Sequence, residues 1–454
     1  MSKQIVVLTE EGPSESLIGA INYFLHFEDS EQRLLNSSVP SESIDKAGNI
    51  TAIGWEYPLA PGKFSKIVCK IVSPAEKGSF VDVLFYVTEN DTLPQPSDHP
   101  NLAVEVTKNG LGESNNMSDQ RAAKFYSLLK RYPEVPCCYY IHTVSPIEKC
   151  PPPHQRSFRR MTTNGISVVF GSNQGFSIQS FEPYKSVEDF LLQGQSGRPR
   201  VNYLLQEGSE VLIKTNLQKN GNFTHDPNIG WLGSNLWTLK SLGFQGNVSL
   251  ISHRLDDKTV QKAFKGKTRN KLVKLMYDMA SSFKTLSVSG IGNIESQDLY
   301  QGNYWQYSSS GEKVGSIQQE IILAAKTGAK TIFSNHAGCE KSYLVTLDGN
   351  SEPLPKGPDY GLPDLLMVFP NKKEIIAIEA EQSKNLKKGY KQVYEPKFKN
   401  LLNKIKSDWY NDYTFSVYLS TFGDDMIEED HVIASTTWSG QTKLNLQAQP
   451  AYVI

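Results

Sequence analysis

The sequence predicts a mixed α/β (α+β) fold in which one arrangement of helices and strands occurs twice around a basic middle region. Of its 454 residues, 39% are hydrophobic and 21% are charged, which is typical of a globular chain with several cores. Short β-branched and aromatic runs alternate with segments of helical periodicity. Charge is also distributed unevenly along the chain.

The N-terminal third contains a helix, three strands, a second helix and a fourth strand. The first helix is predicted at about 14–25, where Ser14 is a suitable N-cap and apolar residues recur at helical spacing. The other predicted elements are strands at 67–72, 80–87 and 102–106, a helix at about 119–130 and a strand near 139–144.

The C-terminal third repeats this order. A polar segment at 296–315, rich in Gly, Ser, Gln and Tyr, predicts a domain boundary within this segment. The elements predicted beyond it are a helix at 317–325, strands at 343–347, 365–369 and 375–380, a lysine-rich helix at about 386–405 and a strand at 415–419.

The net charge of −1 conceals a basic middle region. Residues 151–280 contain 17 Lys and Arg against 9 Asp and Glu, a charge of +8, whereas residues 1–150 carry −6 and residues 281–454 carry −3. Phosphate backbones bind such regions because Lys and Arg release condensed counterions, although a solvated surface is the alternative. The candidate DNA-binding residues here are Arg156, Arg159, Arg160, Lys262, Lys265, Lys267, Arg269 and Lys271.

Several classes of protein are disfavoured. Five cysteines without Cys-x-x-Cys spacing indicate neither a disulfide scaffold nor structural zinc. No segment approaches the roughly 18 apolar residues of a membrane span, and no signal peptide is recognisable. Phosphate-binding glycine loops, nucleophile elbows and zinc-protease helices are missing from the sequence. We therefore expect a cytoplasmic protein that uses neither a membrane nor ATP.

Three carboxylates are predicted to meet at one end of a C-terminal hairpin. Asp364 opens one strand, while Glu379 and Glu381 close the next and share a face because side chains alternate. Like charges this close favour a hard divalent cation bound through oxygen. Mg²⁺ is the expected cofactor, with Mn²⁺ as a substitute, and its use would be to polarise a phosphodiester and activate water. A hairpin with solvated acids is the alternative.

The N-terminal third contains a second acidic pair. Asp82 and Glu105 lie within apolar strands, where an acid is costly to bury unless it is paired or liganded. Glu105 and Thr107 share a face, whereas Lys108 faces the other way unless the strand bulges. The next helix contributes Gln120, Arg121 and Lys124, which could contact a scissile phosphate. A salt-bridged strand end is the alternative.

These stretches resemble the PD-(D/E)XK nuclease motif shared by many type II restriction endonucleases. Pro363-Asp364, 14 intervening residues and Glu379-x-Glu381 carry the resemblance, with Glu381 where lysine is usual. Asp82 and Glu105 are similar, with Thr107 at the lysine position. The segment from His225 through Asp226, Pro227, Asn228 and Gly230 also looks like a region found in some restriction endonucleases, although helix capping is a simpler role for its polar residues.

The resemblance implies a restriction-endonuclease-like mixed central sheet flanked by helices. It implies metal ligands at Asp82, Glu105, Asp364, Glu379 and Glu381, with Glu15 and Glu320 as additional ligands on the first helix of each unit. It implies catalytic assistance from Lys108 in one unit and from Lys384 in the other. It implies DNA contacts at Gln120, Arg121, Lys124, Lys387 and Lys388.

Together these observations predict three regions. Residues 1–150 and 301–454 are nuclease-like modules, and residues 151–300 form a basic DNA-recognition or linking region. The resemblance implies a Mg²⁺-dependent type II restriction endonuclease of a restriction–modification system in a bacterial or archaeal cell. Two different sites in one chain would let each site cut one strand of an asymmetric double-stranded target. A monomer would suffice, and a homodimer stays open.

Three alternatives to this function remain. The first is a single-site nuclease, dimeric or nicking, with one degenerate module. The second is a repair or recombination nuclease that recognises DNA structure. The third is a non-catalytic DNA-binding protein.

Overall fold

Helices and strands alternate along the whole chain in this computed structural model. The structure describes all residues except 1, 11, 36–38, 45–49, 73–78, 80, 96, 108–114, 144–151, 173, 194–202, 216–226, 253–260, 262–270, 298–307, 336–342, 356 and 439. The described helices are α1 (Glu15–Phe27), α2 (Asn115–Arg131), α3 (Pro152–Thr163), α4 (Val187–Gln193), α5 (Pro227–Ser241), α6 (Lys271–Met279), α7 (Ser308–Thr327), α8 (Leu386–Val393) and α9 (Pro396–Trp409).

The strands fall into three regions of the sequence. Those of the N-terminal region are β1 (Lys3–Thr9), β2 (Val39–Ile44), β3 (Ile50–Pro58), β4 (Phe64–Ile71), β5 (Val83–Glu89), β6 (Leu102–Thr107), β7 (Cys137–His142), β8 (Ile166–Ser172) and β9 (Gly175–Gln179). Those of the middle are β10 (Tyr203–Glu207), β11 (Glu210–Thr215), β12 (Asn247–Ser252), β13 (Thr285–Val288) and β14 (Gly292–Asn293). Those of the C-terminal region are β15 (Lys330–Ser334), β16 (Tyr343–Val345), β17 (Ser351–Pro353), β18 (Leu365–Phe369), β19 (Glu374–Gln382), β20 (Thr414–Gly423), β21 (Val432–Thr437), β22 (Thr442–Leu444) and β23 (Tyr452–Val453).

One mixed sheet joins the two ends of the chain. Its path runs β15-β18-β19-β20-β21-β22-β3-β4-β1-β5-β6-β7-β8-β9, with β2 beside β3 and β23 beside β20. The two halves of this sheet meet at β22 and β3, through the register pair Thr442 and Ile50. The middle strands form a separate sheet in the order β10-β11-β12-β13-β14.

The same topology occurs three times. Each unit has an antiparallel strand pair, a helical connection to a parallel strand, a further parallel strand and an antiparallel last strand. The units are β5 to β9 with α2 and α3, β10 to β14 with α5 and α6, and β18 to β22 with α8 and α9. Helices flank both mixed sheets, so the predicted α+β class is confirmed.

In the N-terminal half, α1 and α2 cover opposite faces of the sheet. Ser14 caps α1 by accepting a hydrogen bond from the backbone N of Leu17, 3.4 Å away. The apolar face of α1 packs on alternate residues of the central strands, including Val83 and Val104. On the other face, Phe125 of α2 belongs to the core that contains the intervening strand residues. Because side chains alternate between the two faces of a strand, successive strand residues pack against α1 and α2 in turn.

The C-terminal half has the same layering. Residues of α8 and α9, such as Leu386 and Leu401, pack with Leu366 and Ala377 on one face. Leu323 of α7 packs with Leu365 and its neighbours on the other face. Helix α7 also joins the halves, because further apolar residues of this helix belong to the N-terminal core; these are Ile317, Ile321 and Ile322.

The middle unit shares its core with the N-terminal half. Trp237 and Leu236 of α5 and Leu275 of α6 lie in the same cluster as Phe125 of α2. The N-terminal sheet itself continues through β9, so it extends past the predicted boundary at residue 150. Helix α3 begins at Pro152, where a missing backbone N–H is tolerated in the first helical turn. In the described part of the chain, no helix is both long and apolar enough to span a membrane.

A glycine on α1 permits close packing on the sheet. A Cβ added at Gly19 would collide with the Tyr140 hydroxyl of β7. We expect Gly19→Ala to lower the free energy of unfolding by about 1–3 kcal/mol, because the added methyl group would overpack the contact between α1 and Tyr140. Tyr140→Phe in the same chain should recover part of the loss. Urea denaturation of the two single variants and the double variant measures the coupling, and strict additivity would contradict this packing.

Candidate active sites

The N-terminal acidic pair lies at the end of the β5–β6 ladder. Val83 pairs with Val104, so Asp82 and Glu105 are the next neighbours across the two strands. The backbone N of Val106 donates to Asp82 Oδ2 at 3.0 Å, and the backbone N of Asp82 donates to Glu105 Oε2 at 3.3 Å. These reciprocal hydrogen bonds fix both carboxylates at the strand ends, although they are buried.

Helix α2 supplies two cations to this pair. Lys124 Nζ lies 3.3 Å from Asp82 Oδ1 and also bonds Glu105 Oε1. Arg121 Nη1 donates to Glu105 Oε1 at 2.9 Å and to the carbonyl oxygen of Val106 at 2.8 Å. Spacing of three residues places both cations on one face of the helix. The N-terminal site therefore combines two carboxylates with two positive side chains.

Burial and charge act against each other in this cluster. Burial raises the pKa of Glu105, and the neighbouring Asp82 raises it further, although Lys124 and Arg121 pull it down. Burial alone would lower the pKa of Lys124, but Asp82 and Glu105 outweigh it, so the net shift is upward. Glu105 has no solvent-exposed surface, which explains why it needs these partners.

The C-terminal acids have the same backbone arrangement. Leu365 pairs with Ile378, so Asp364 and Glu379 are the next cross-strand neighbours. The backbone N of Ala380 donates to Asp364 Oδ2 at 2.7 Å. This hydrogen bond corresponds to the one from Val106 to Asp82. Glu379 and Glu381 are both buried.

A lysine from the following helix again reaches the acids. Lys388 of α8 forms a salt bridge with Glu381. Lys384 was predicted to supply the positive charge of this site, and Lys387 was predicted to contact DNA. Both side chains are exposed. A 3-10 turn at Ser383–Asn385 precedes α8, and it sets which lysine of the segment points back to the strand. The sequence had suggested Lys388 only as a DNA-binding residue.

The two sites therefore match in the register of their strands and in the helix that follows the Glu strand. In each, an Asp before a strand accepts a backbone hydrogen bond from the residue after the cross-strand Glu. In each, a lysine of the next helix pairs with an acid of the Glu strand. Thr107 and Glu381 occupy corresponding positions, two residues after Glu105 and Glu379.

The acids of the two first helices lie elsewhere. Glu15 Oε2 stands 3.9 Å from Nε2 of the buried His142. Glu320 lies near Gly12 and close enough to Tyr57 to help raise its pKa, after the larger effect of burial. Helices α1 and α7 pack on the sheet face opposite to α2 and α8. The predicted grouping of Glu15 and Glu320 with the strand acids is therefore not the arrangement in the structure.

A small cavity lies beside Asp364, and the residues of α7 that line it do not include Glu320. Ser316, Gln319 and Leu323 line it together with Asp364 and Ser420. The amide of Gln319 also donates to the carbonyl oxygen of Thr421 at 2.6 Å, which fixes the helix to β20. Glu320 is one helical position removed and faces the N-terminal half.

The candidate DNA-binding residues divide into three groups. Arg159 stacks over Tyr184 at 4.2 Å and bonds the carbonyl oxygen of Glu182, while the buried Arg160 bonds Ser157. Arg156 is partly exposed. Lys108, Lys262, Lys265, Lys267 and Arg269 lie outside the described residues, as do His225 and Asp226, and the side chains of Gln120, Asn228 and Lys271 lie outside the described part of their helices.

The carboxylate pairs suit a hard cation in donor type. Within the described ranges, no group of three or more His, Cys, Asp or Glu side chains stands close enough to hold a metal ion. Mg²⁺, however, is commonly bound by one or two carboxylates, with water and substrate phosphates completing its shell. Asp82 and Glu105 already bind a cationic group, the ammonium of Lys124. All the donor atoms are oxygen, so each pair fits Mg²⁺.

No protein-family model matches the sequence, and no curated protein or solved structure matches it at a significant level.

Proposed function

We propose that the protein is a Mg²⁺-dependent endonuclease that hydrolyses phosphodiester bonds of double-stranded DNA in the manner of a type II restriction endonuclease. One observation carries the proposal: two Asp–Glu pairs in the same register, each followed by a helix that returns a lysine. A surface hairpin would not need such pairing twice. We propose further that each site cuts one strand.

Asp82 and Glu105 would hold a cation in one site, and Asp364 and Glu379 would hold one in the other, while Glu381 pairs with Lys388. The bound Mg²⁺ would polarise the phosphodiester, favour an attacking hydroxide and stabilise the leaving oxygen. The protein itself would position the carboxylates that hold the cation. Backbone N–H groups fix the two Asp carboxylates, and Asp82 is in addition buried.

The helix lysines would act on the substrate's charge. Lys124 and Lys388 each lie against an acid of the site, where a scissile phosphate would bring further negative charge. An ammonium in this position stabilises charge that develops on the phosphate oxygens. Exposed Lys384 and Lys387 follow Glu381 closely in the sequence and would contact the DNA backbone. The basic composition of residues 151–280 supports the same partner.

One observation favours a single-site enzyme as the second candidate. Lys124 and Arg121 together balance the two charges of Asp82 and Glu105, and such a compensated buried cluster also serves as a structural ion pair. In that case only the C-terminal site would cut, and the protein would nick or act as a dimer.

Digestion of supercoiled plasmid tests the proposed function. We expect linear product with Mg²⁺, none with EDTA, and none from the Asp82→Ala, Asp364→Ala double variant. Run-off sequencing of the product should give ends at fixed sequences. Ends at random positions would indicate a nuclease that recognises DNA structure, and intact plasmid bound without cleavage would contradict the nuclease proposal.

The exposed C-terminal lysine gives a further expectation. Lys388 is 64% exposed, so we expect Lys388→Met to change the free energy of unfolding by less than about 1 kcal/mol. Cleavage of one strand should nevertheless fall by about tenfold or more, because the charge near the phosphate is lost. Lys399→Met, on the neighbouring helix, is the control. Equal cleavage by both variants would remove Lys388 from the mechanism.

A further inference from the structure

The middle unit has the strand register of the acidic units but lacks their acids. In the N-terminal unit, the two acids lie directly beyond the end pair of the β5–β6 ladder. In the middle unit, the corresponding end pair of β10 and β11 is Tyr203 with Lys214. The next residue of β11 is Thr215, and in the sequence Asn202, which lies outside the described residues, precedes Tyr203. Neither residue is an acid.

The spacing of the following elements supports this alignment. Strand β7 begins 32 residues after Glu105, and β12 begins 32 residues after Thr215. Both positions lie on the strand face that meets the next helix, because Ala103 and Ile213, two residues earlier in each strand, belong to one buried cluster with α2 and α5. Thr215 therefore occupies the position that Glu105 has in the N-terminal unit.

The cations of the acidic pair have no counterpart in α5. When α2 and α5 are aligned by the same spacing, Lys124 corresponds to Ser234, and Arg121 corresponds to Trp231. Both Ser234 and Trp231 are buried. A buried ion-paired cluster that loses one partner is strongly destabilised, whereas its complete replacement by neutral groups is tolerated. The middle unit fits the second case, because the acids and the cations are missing together.

The N-terminal and middle units pack on each other through their equivalent helices. Helix α2 of one unit packs along α5 of the other. Lys130 of α2 forms an ion pair with Asp278 of α6, with 3.4 Å between Nζ and Oδ2. In the reverse direction, the Ser241 hydroxyl of α5 donates to Oδ1 of Asn164, directly after α3, at 2.9 Å. Such reciprocal contacts are typical of the two-fold interface between identical subunits.

Three lysines of the middle unit stand at the edge where the other units have their acids. Lys214 directly precedes Thr215 at the carboxyl end of β11, which is parallel to β12. Because β12 and β13 are also parallel, α6 returns from this same edge, and Lys271 and Lys274 are in its first turn. Without carboxylates at the two register positions, these lysines favour a phosphate backbone.

We propose that the middle unit, β10 to β14 with α5 and α6, is a third copy of the nuclease unit that has no cleavage site and holds double-stranded DNA for the N-terminal unit. The inference rests on the proposed function, because it assigns the DNA contact beside one of the proposed sites. The two units are packed as a pair, so one of them can bind the duplex while the other cuts it. Lysines at this edge bind phosphates and do not read the base sequence.

The salt dependence of DNA binding tests this inference. The probe is a short fluorescein-labelled duplex of arbitrary sequence, titrated with the full chain in EDTA so that it is not cut. The test variant combines Lys214→Gln, Lys271→Gln and Lys274→Gln. Each lost phosphate contact lowers the steepness of log K against log salt by about 0.9, so we expect a decrease of about 2–3. The matched control changes three exposed lysines at the opposite end of the C-terminal hairpin and should keep the wild-type slope; these are Lys330, Lys372 and Lys373.

The outcomes separate this inference from the proposed function. If the triple variant keeps the wild-type slope while the wild type linearises plasmid with Mg²⁺, the inference is overturned and the proposed function stands. If the slope falls but the wild type leaves plasmid intact, the DNA contact is supported and the nuclease proposal fails. Cleavage by the Asp82→Ala, Asp364→Ala double variant would assign an active site to the middle unit and overturn the inference. Circular dichroism melting verifies folding, and the single Lys274→Gln variant should lower the slope by about 0.9.

Discussion

Asp364→Ala is expected to convert the proposed nuclease into one that nicks a single strand of DNA. The substitution removes a carboxylate fixed at the strand end by the backbone N of Ala380. Because a bound metal contributes several kcal/mol to transition-state stabilisation, cleavage of one strand should fall by about 100-fold or more. Cleavage of the other strand should persist, because the Asp82–Glu105 pair lies in the other half of the sheet.

Asp82→Ala should give the opposite nick. The reciprocal hydrogen bonds with Glu105 and Val106 place Asp82 in the same role that Asp364 has. Nicked circular plasmid from each variant, followed by run-off sequencing on both strands, identifies the strand cut. Asp359→Ala, which changes an exposed acid five residues before Asp364, is the control and should linearise the plasmid. If either single variant loses cleavage of both strands, the assignment of one strand to each site fails.

Lys124→Met should have the largest effect on stability. Its ammonium bonds two buried carboxylates, and removal of one partner from such a cluster typically costs about 3–5 kcal/mol because it leaves buried charge uncompensated. Urea denaturation measures the loss. Lys404→Met, which breaks an exposed helix pair with Asp408, should cost less than about 1 kcal/mol. Equal costs for the two variants would contradict the burial of the N-terminal cluster.

The penalty of Lys124→Met should depend on pH. Burial and Asp82 already raise the pKa of Glu105 above its unfolded value of about 4.3, and loss of Lys124 raises it further. A group with a raised folded pKa contributes stability below the unfolded pKa and loses it as pH rises through the folded pKa. The destabilisation should therefore be greatest near neutral pH and smaller toward pH 4. Urea midpoints measured over this range, relative to wild type, give the trend, and a constant penalty would be contrary to it.

Local sequence pattern was sufficient for the hairpins that carry the acids. The alternation and β-branched content of 365–369 and 375–380 predict β18 and β19, and the helical spacing of 119–130 lies within α2 (Asn115–Arg131). The side-chain period of two in a strand also predicts that Glu379 and Glu381 share a face. These features depend on residues close in sequence, so a single chain reveals them.

Features that depend on distant contacts were not predictable. The order of elements does not reveal which sheet face a helix covers, so Glu15 and Glu320 were grouped with acids that lie on the opposite face. The choice of Lys388 over Lys384 depends on the 3-10 turn before α8.

The shared core of the middle unit was also beyond sequence reasoning. Its basic composition distinguished it from its neighbours, whereas its packing is decided by apolar residues such as Trp237 and Leu275 against Phe125. Composition describes the surface a region offers to a partner. It does not tell which helices bury their apolar faces together, and this is why a boundary set by charge does not coincide with the boundary of the N-terminal sheet.

If the protein has the proposed function, its two carboxylate sites each bind one divalent cation. Calorimetric titration with Mn²⁺, without DNA, of the wild type, Asp82→Ala, Asp364→Ala and the double variant measures this binding. Each single variant should lose one of the sites seen in the wild type, and the double variant should bind none. A wild type without Mn²⁺ binding, or a double variant that titrates like the wild type, would refute both metal sites.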